Sequence, residues 1–502
     1  MAQTKKSSSK LPYLTALLLP FSATYSVQND TNWHHKASSA LQTAISDRND
    51  QPIEIILRLQ AAQLAEQRSI NPQAKLESVT KQLQEHASRT QAPLIKQLDS
   101  LGLSYQTFWI SNDILVSIEA QKIPTLLAIP AIQKAYLNAP FKPLLPQSAQ
   151  DAHVRAVNAI EWNINQINAP DVWDLGYKGQ GVVIAGQDTG YKWNHPALIN
   201  TYRGWNGTQV DHNYNWHDSI SNPNIVCEDN GQSAACDDHG HGSHTMGTMV
   251  GDDRNGNQIG VAPRASWIGC RNMNQGNGTP ATYMGCFQWF MQPTDINEEN
   301  PDSSKAPQII NNSWVCPGFE GCTDPDVMKP IVENVTTAGI LVITAAGNSG
   351  SSCGSVDAPT AIYEAALTIG SSTASDAISG FSSRGPVTVD GSNRLKPEVV
   401  APGSNIRSAR LNDGYGPSNG TSMAAPHVAG VAALLLSAFP HLRGQPEMLK
   451  NILMASAESK TSSQNCGNVS GSNSPNNTFG WGRVDALAAF ETADIIFADD
   501  YD

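Results

Sequence analysis

Three polar residues lie at points of the chain where chemistry is feasible: Asp188, His241 and Ser422. Asp188 ends an apolar run, and functional groups gather where the strands of a parallel sheet end. His241 lies at the start of a predicted helix, whose positive end favours the neutral imidazole that a general base needs. Ser422 follows a glycine-containing loop and opens an apolar helix, which leaves its hydroxyl exposed and its N–H outside helical bonding. This combination predicts a nucleophilic serine with a histidine base and an orienting carboxylate.

A fourth candidate, Asn348, ends another apolar run in the segment Ala346-Gly-Asn348. Its side-chain amide can donate a hydrogen bond to a developing oxyanion beside the N–H of Ser422. One such donor contributes on the order of 3 kcal/mol of transition-state stabilisation. Each of the four residues also has an ordinary interpretation as a turn residue, a helix cap or a buried side chain. The prediction therefore rests on their combination.

A metal site is one alternative, because Cys236, Asp238, His239, His241 and His244 are crowded together. No H-E-x-x-H pattern is present there, and the cysteines fit disulfides better than they fit a zinc site. We therefore interpret His239 and His244 as structural residues and leave the identity of any metal open.

A lipase or esterase is the nearest rival enzyme, because residues 350–354 match G-x-S-x-G with Ser352 at the centre. That motif requires a strand, a sharp turn and a helix, and no convincing helix follows it here. A catalytically silent binding protein is the remaining alternative. Degenerate enzymes usually lose a catalytic residue, and none is missing from this chain.

Strands alternating with helices must position these residues. Short apolar runs without period-2 alternation are typical of strands buried on both faces, and helical candidates separate them. The predicted strands are 182–187, 267–271, 308–312, 340–345 and 366–370, and the predicted helices are 241–250, 280–291, 326–338, 421–438 and 446–455. This alternation predicts an α/β fold, a mostly parallel sheet with helices on both faces.

The rest of the chain consists of a small unit, a linker and an N-terminal segment. Residues 51–140 predict a small α+β unit with a long helix from residue 72 to 101. Residues 141–160 are rich in Pro, Gln and Ala and predict an exposed linker, a good place for proteolysis. Residues 1–26 combine three lysines with a short apolar run and resemble a secretory signal peptide. No run reaches the ~18 apolar residues that a membrane helix needs.

Charge and cysteine content limit the function further. Residues 1–150 carry a net charge of +4 and residues 151–502 a net charge of −17. This difference suggests two units that attract each other, and an acidic surface that simply keeps an exported protein soluble is an equally good interpretation. The acidic large unit disfavours nucleic acid as a partner. All eight cysteines follow residue 226, which suits disulfides in an oxidising compartment. We favour Cys227 with Cys236 and Cys316 with Cys322, although eight cysteines allow 105 connectivities.

As a set, these segments resemble the subtilisin-like serine peptidases (subtilases) over roughly residues 160–490, and look closest to bacillopeptidase F-like members. The order Asp…His…Ser is that of subtilisin. The shared stretches are Glu161-Trp-Asn, Asp188-Thr-Gly, Trp193-Asn-His-Pro-Ala-Leu198, His241-Gly-Ser-His244, Gly260-Val-Ala-Pro263, Asn311-Asn-Ser-Trp314, Ala346-Gly-Asn348, Lys396-Pro-Glu and Gly420-Thr-Ser422-Met-Ala424.

The resemblance implies a secreted endopeptidase that cleaves proteins or peptides. Asp188, His241 and Ser422 would be the triad, Asn348 the oxyanion residue, and Ser313, Trp314 and Gly347 substrate-binding residues. Residues 51–140 would be an inhibitory propeptide, removed by autoprocessing in the linker, and residues 161–495 the catalytic domain. The chemistry implies no required cofactor, no nucleic acid and no membrane.

Two features depart from the family or leave its pattern open. Val315 and Cys316 stand where many subtilases have glycines, so the family pattern does not define the shape of the first specificity pockets here. Substrate should still bind by strand addition near Ser313. Family members often bind calcium, and residues 252–258 form an oxygen-rich candidate loop. Because this loop lacks the EF-hand pattern, an ordinary turn is at least as good an interpretation.

Overall fold

A computed structural model describes residues 33–47, 51–65, 71–139, 159–220, 227, 233–314 and 324–498. The expected signal peptide, most of the expected linker, and Val315, Cys316 and Cys322 lie outside these residues.

Residues 33–139, here called the N-terminal unit, form an antiparallel sheet of order β2-β3-β1-β4 with three helices. Its elements are α1 (Ser39–Asp47), β1 (Pro52–Arg58), α2 (Pro72–Ser100), β2 (Tyr105–Phe108), β3 (Asp113–Glu119), α3 (Ile123–Leu127) and β4 (Lys134–Leu137). The α+β unit predicted over 51–140 is present, and its long helix predicted over 72–101 is α2. Helix α1 was not expected. Its Leu41 is fully buried in the hydrophobic core of the N-terminal unit.

Residues 159–498, here called the large unit, alternate strands and helices as predicted. The elements before α7 are β5 (Ala159–Ile160), α4 (Trp162–Gln166), α5 (Ala169–Asp174), β6 (Val183–Asp188), β7 (Trp216–Asp218), α6 (His241–Val250), β8 (Asn257–Gln258), β9 (Ser266–Arg271), β10 (Met273–Asn274) and β11 (Asn277–Gly278). They are followed by α7 (Pro280–Met291), β12 (Ile309–Asn312), α8 (Lys329–Thr337), β13 (Leu341–Ala345), β14 (Leu367–Ser372), β15 (Val399–Pro402), β16 (Ile406–Ala409), β17 (Tyr415–Ser418), α9 (Thr421–Ala438), α10 (Pro446–Ala455) and α11 (Ala486–Ala498).

The main sheet has seven strands in the order β15-β14-β13-β12-β6-β9-β7, and all its pairs are parallel. Strand β6 is the first of these strands in the sequence, and it lies between β9 and β12 in the sheet. The chain passes from one side of β6 to the other, which creates a crevice at the carboxyl end of this strand. The predicted parallel α/β architecture is confirmed.

Alternate strand residues face two separate hydrophobic cores, as expected for a sheet covered on both faces. Ile184 and Ile343 belong to the core that also contains α6, α9 and α10. Ala185 and Val342 belong to the core that contains α7 and α8. Helix α9 is long and apolar enough to span a membrane by composition, but most of it is buried in the first core.

The N-terminal unit packs onto the second core. Leu76, Val79 and Leu83, spaced three and four apart on α2, share this core with Phe287 and Ile331 of helices α7 and α8. The far half of α2 packs instead into the unit's own core through Leu94 and Leu98. The same helix therefore stabilises the N-terminal unit at one end and docks it on the large unit at the other.

Polar contacts surround this apolar interface. The Arg58 guanidinium pairs with Asp113 at 2.7 Å and also donates to the carbonyls of Asp326 and Val327. Only one salt bridge crosses the interface among the described residues, between Lys134 and Asp326 at 3.5 Å. Further hydrogen bonds join Lys75 to Gly444, Gln84 to Gln292, Gln288 to the N–H groups of Trp109 and Ile110, Asn334 to Ile110, and Ala281 to Asn138.

Three disulfides are described. Cys227–Cys236 confirms one of the two predicted pairs. Cys270–Cys286 links β9 to α7 inside the second core, and Cys353–Cys466 links the segment after β13 to the segment before α11. The predicted pair of Cys316 and Cys322 lies outside the described residues.

Candidate active site

Asp188 and His241 form a buried pair at the carboxyl end of β6. Nδ1 of His241 lies 2.7 Å from Oδ1 of Asp188, and both side chains are at most 3% exposed. Because a carboxylate only accepts hydrogen bonds, Nδ1 must carry a proton, and in the neutral imidazole Nε2 then presents its lone pair. No described residue hydrogen-bonds to this Nε2. The imidazole is therefore oriented on one side and available as a base on the other.

The helix that carries His241 begins at a residue with no capping side chain. Its N-cap is Gly240, in the left-handed conformation. Two side chains from elsewhere satisfy the first N–H groups of α6 instead. Asp237 accepts from the N–H of Ser243, and Thr189 accepts from that of Gly242, at 3.0 and 3.1 Å. Burial raises the pKa of Asp237, and its hydrogen bonds with Ser243, Gly240 and His239 oppose this shift.

Ser422 is the second residue of α9. The N-cap of this helix is Gly420, so the interpretation of Ser422 as a plain N-cap is wrong. No intrahelical partner exists for an N–H at this position, and none of the described residues accepts from it. Pro426 is the sixth residue of the same helix. It has no N–H to bond the Ser422 carbonyl, which an ordinary residue at 426 would do.

Asn348 is attached to the start of the same helix. Its Oδ1 accepts from the N–H and the hydroxyl of Thr421, at 2.9 and 3.1 Å. Because both partners are donors here, the oxygen must face Thr421, and the Nδ2 donor group points elsewhere. No described residue accepts a hydrogen bond from this Nδ2. The arrangement leaves an amide donor and the N–H of Ser422 unused near one helix end.

The residues expected to bind substrate are positioned by neighbouring strands. Ser313 and Trp314 directly follow β12, and Gly347 follows β13. Both backbone groups of Gly347 already bond within the chain, its N–H to Thr421 and its carbonyl to Ser383. The Trp314 indole is buried and stacks on Tyr283, with ring centroids 3.7 Å apart.

Sheet order brings these residues to one edge. Strands β6, β12 and β13 are consecutive neighbours, and their carboxyl ends carry Asp188, Ser313 and Gly347. With about 4.8 Å between strands, the ends of β6 and β13 are about 10 Å apart. Helix α6 is joined to the end of β6 through Thr189, and α9 to the end of β13 through Thr421. The two helices also pack against each other.

Several side chains of the candidate metal site are already bound to other groups of the protein. Cys236 is in a disulfide, Asp238 pairs with Arg271 at 2.6 Å, and Nε2 of His244 contacts the carbonyls of Ile406 and Gly416. Burial lowers the pKa of His244 to about 3, so this side chain is neutral. Within the described part of the chain, no group of three or more His, Cys, Asp and Glu side chains is arranged to hold a metal ion.

The segment around Ser352 does not form the strand, sharp turn and helix that a lipase or esterase requires. The segment that contains Ser352 forms turns, and no helix intervenes before β14 begins at Leu367. Cys353, within the motif, is held by its disulfide to Cys466. The G-x-S-x-G match is therefore accidental.

Three contributors to the site were missed from the sequence: Thr189, Asp237 and Thr421. Each has a short polar side chain within five residues of a candidate catalytic residue, and Asp and Thr favour capping positions. The sequence does not show that each of these side chains forms a hydrogen bond with a segment distant in the chain.

A buried Asp–His pair at the carboxyl end of a parallel strand, together with a serine in the first turn of a facing helix, is the arrangement of a serine hydrolase. Residues 179–482 match the Peptidase_S8 family model, which describes the subtilase family. The chain belongs to the subtilase family, and the resemblance inferred from its motifs is confirmed.

The relatives it matches are named proteases. It is 34% identical over 437 residues to Bacillopeptidase F of Bacillus subtilis (strain 168), a match that covers 83% of this chain and 28% of the relative. It is 33% identical to the Major intracellular serine protease of that strain, covering 56% and 76% of the two chains. It is 31% identical to Serine protease AprX of that strain, covering 64% and 68%. Family membership thus supports a serine endopeptidase with protein or peptide substrates.

Proposed function

We propose that this protein is a serine endopeptidase that hydrolyses peptide bonds through an acyl-enzyme on Ser422. The observation that carries the proposal is the buried His241–Asp188 hydrogen bond, which orients an otherwise unpaired Nε2. Family membership supports the same reaction class.

In the first half-reaction, Ser422 Oγ attacks the scissile carbonyl while His241 Nε2 takes its proton. The carbonyl oxygen becomes an oxyanion, stabilised by the N–H of Ser422 and by Asn348 Nδ2. The C–N bond then breaks as His241 returns the proton to the leaving amine. Asp188 stays ionised and stabilises the imidazolium.

In the second half-reaction, water replaces the amine. His241 takes a proton from the water, whose oxygen attacks the acyl carbonyl through a second oxyanion in the same position. The C–Oγ bond breaks, His241 returns the proton to Ser422, and the carboxylic acid product leaves. Substrate would be held as an added strand beside Ser313.

Labelling with a fluorophosphonate and digestion of a fluorogenic peptide library test the reaction. The wild-type protein should be labelled on Ser422 and should cleave peptides, whereas Ser422→Ala should do neither. Ser352→Ala is the matched control and should keep both properties. Labelling on Ser352 would support an esterase, and a correctly folded, processed protein that stays unlabelled would support a silent binding protein.

The same proposal includes a zymogen. The N-terminal unit buries helices α7 and α8 of the large unit, and residues 141–160 connect the two. We expect autoprocessing within 141–160 and inhibition by the N-terminal unit until it is removed. Ser422→Ala should accumulate as an uncut chain, and the wild type should yield a new N-terminus in that segment. A cut of the same kind in Ser422→Ala would assign processing to another protease.

Secretion completes the proposal. The lysines and apolar run of residues 1–26 and the three disulfides support an extracellular protein. Mass spectrometry of the culture medium would identify the mature N-terminus.

The chemistry itself requires no cofactor, and the candidate calcium loop does not fit a calcium cage. Asp253 already accepts four hydrogen bonds, from the N–H groups of Asn255 and Asn257, the Asn257 amide and the Tyr415 hydroxyl. Its neighbour Asp252 accepts from the N–H of Arg254. Activity should therefore not depend on calcium bound at residues 252–258.

A further inference from the structure

One buried carboxylate, that of Asp237, touches both segments that carry the His241–Asp188 pair. Its Oδ1 accepts from the Thr189 hydroxyl at 2.9 Å and from the N–H groups of His239 and Gly240 at 3.0 and 2.8 Å. Its Oδ2 accepts from the N–H of Ser243 at 3.0 Å and from its hydroxyl at 2.6 Å. The residue is only 4% exposed. Five donors therefore converge on one side chain that the reaction itself does not use.

The first branch of this network leads to Asp188. Thr189, which donates to Asp237, also donates its own N–H to Asp188 Oδ1 at 2.7 Å. This is the oxygen that holds His241. The position of Thr189 thus sets the direction of the catalytic carboxylate.

The second branch leads to His241. The Thr189 hydroxyl accepts from Gly242, and Asp237 accepts from Ser243, the two residues that follow His241 in α6. Gly240, the N-cap, has no side chain that could satisfy these groups. A carboxylate at a helix start also interacts favourably with the helix dipole.

The backbone segments around Gly190, Cys236 and Gly242 are closely packed. A Cβ atom on Gly242 would lie 2.0 Å from the Gly190 carbonyl oxygen, and one on Gly190 would lie 2.0 Å from that of Cys236. Glycine is required at both positions because three backbone segments meet there. A displacement of Asp237 would therefore be passed directly to the two catalytic segments.

We propose that Asp237 is a positioning residue that fixes the positions of His241 and Asp188 relative to each other. This inference rests on the proposed function and concerns the same site. It requires a carboxylate, because every partner of Asp237 donates. An asparagine would turn its own NH₂ group toward at least one donor and lose that hydrogen bond.

Steady-state kinetics of Asp237→Asn provide the first test, with the best-cleaved fluorogenic peptide from the library. Misplacement of catalytic groups by about 1 Å costs about 100-fold in rate, so we expect kcat to fall 10- to 100-fold. KM should change less than threefold, because substrate binds elsewhere. Fluorophosphonate labelling of Ser422 should slow by the same factor as kcat. Asp295→Asn is the matched control: its carboxylate also accepts several hydrogen bonds, all within its own loop.

A double-mutant cycle separates positioning from general stability. If Asp237 acts through the pair, Asp237→Asn should cost less than threefold in an Asp188→Asn background, where the pair is already impaired. A purely structural role would instead lower the active fraction equally in both backgrounds. Thr189→Ser, which keeps the hydroxyl, should retain activity, whereas Thr189→Val should resemble Asp237→Asn.

The outcomes distinguish this inference from the proposed function. If the wild type cleaves peptides and Asp237→Asn retains its kcat, the positioning role is wrong and the protease remains. If the wild type is neither labelled nor active, the proposed function is wrong. Should Asp237→Asn yield no folded enzyme, two other variants test the network: Ser243→Ala removes the hydroxyl that donates to Asp237, and Thr189→Val removes both the donor to Asp237 and the acceptor of the Gly242 N–H. Full kcat in both of these variants would overturn the inference.

Discussion

Nδ1 of His241 lies 2.7 Å from Oδ1 of Asp188, and this distance fixes the tautomer of the imidazole. The proton must lie on Nδ1 because the carboxylate can only accept. The residue that has no role in bond making thus decides which nitrogen can act as the base.

Replacing Asp188 by asparagine should therefore abolish most activity without unfolding the protein. An amide can donate to Nδ1, which favours the wrong tautomer, and the comparable change in serine proteases costs about 10⁴-fold in kcat. We expect a similar loss in kcat for Asp188→Asn and a KM within a few-fold of wild type. Asp295→Asn controls for the loss of a loop carboxylate. A kcat for Asp188→Asn within tenfold of wild type would show that His241 is oriented by something else.

Asn348 allows the oxyanion donor to be separated from the structural acceptor. Its Oδ1 braces Thr421, and its Nδ2 is the proposed donor. Asn348→Asp keeps the acceptor and replaces the donor by a negative charge, whereas Asn348→Ala removes both. Loss of one oxyanion donor costs about 10²- to 10³-fold in kcat. We expect at least this loss in both variants, with thermal stability lowered more in Asn348→Ala. An active Asn348→Asp would contradict the assignment.

Much of this site was predictable because it depends on local signals. Strand ends, helix starts and the chain order of Asp188, His241 and Ser422 are all visible in the sequence, and the predicted strands and helices of the large unit are present. The hydrogen-bond network around Asp237 was not predictable, since Asp237 and Thr189 are 48 residues apart and their hydrogen bond forms only in the folded chain. The same holds for Cys270–Cys286 and Cys353–Cys466, because sequence alone leaves disulfide connectivity open.

The charge difference between the two units suggested electrostatic docking, and the structure limits that contribution. Only the Lys134–Asp326 pair crosses the interface as a salt bridge among the described residues, and both side chains are more than one-third exposed. Exposed pairs contribute about 0–1 kcal/mol. Burial of a leucine such as Leu76 contributes about 2 kcal/mol, equivalent to roughly 30-fold in affinity.

The N-terminal unit should accordingly stay bound to the cut protein at high salt. We expect its retention after autoprocessing, measured by size-exclusion chromatography with mass spectrometry, to be similar at low and high NaCl concentration. Leu76→Ser should release it at both, and Lys134→Ala should have little effect. Lys81→Ala, on the exposed side of α2, is the control. Release of the wild-type unit by salt alone would restore the electrostatic explanation.

Buried histidines should make the folded chain sensitive to acid. His427 is fully buried in α9, with Nδ1 bonded to the Met423 carbonyl and Nε2 to the Asn163 amide. A ring that donates through Nδ1 and accepts through Nε2 is neutral, and burial lowers the pKa of His427 to about 4. In the unfolded chain the pKa is near 6.5. Between these values the unfolded state binds more protons, so stability falls as the pH falls from 6.5 to 4.

The free energy of unfolding should therefore drop by roughly 3 kcal/mol on account of His427 over this range, since one pKa unit corresponds to about 1.4 kcal/mol. Urea unfolding of Ser422→Ala, a background that prevents self-digestion, would measure it at several pH values. Adding His427→Gln should flatten the dependence by about that amount, and His441→Gln, at an exposed position, should leave it unchanged. The dependence would not vanish, because burial also lowers the pKa of His217 to about 4 and that of His244 to about 3. Equal slopes with and without His427 would mean that Asn163 and Met423 accommodate the charged ring.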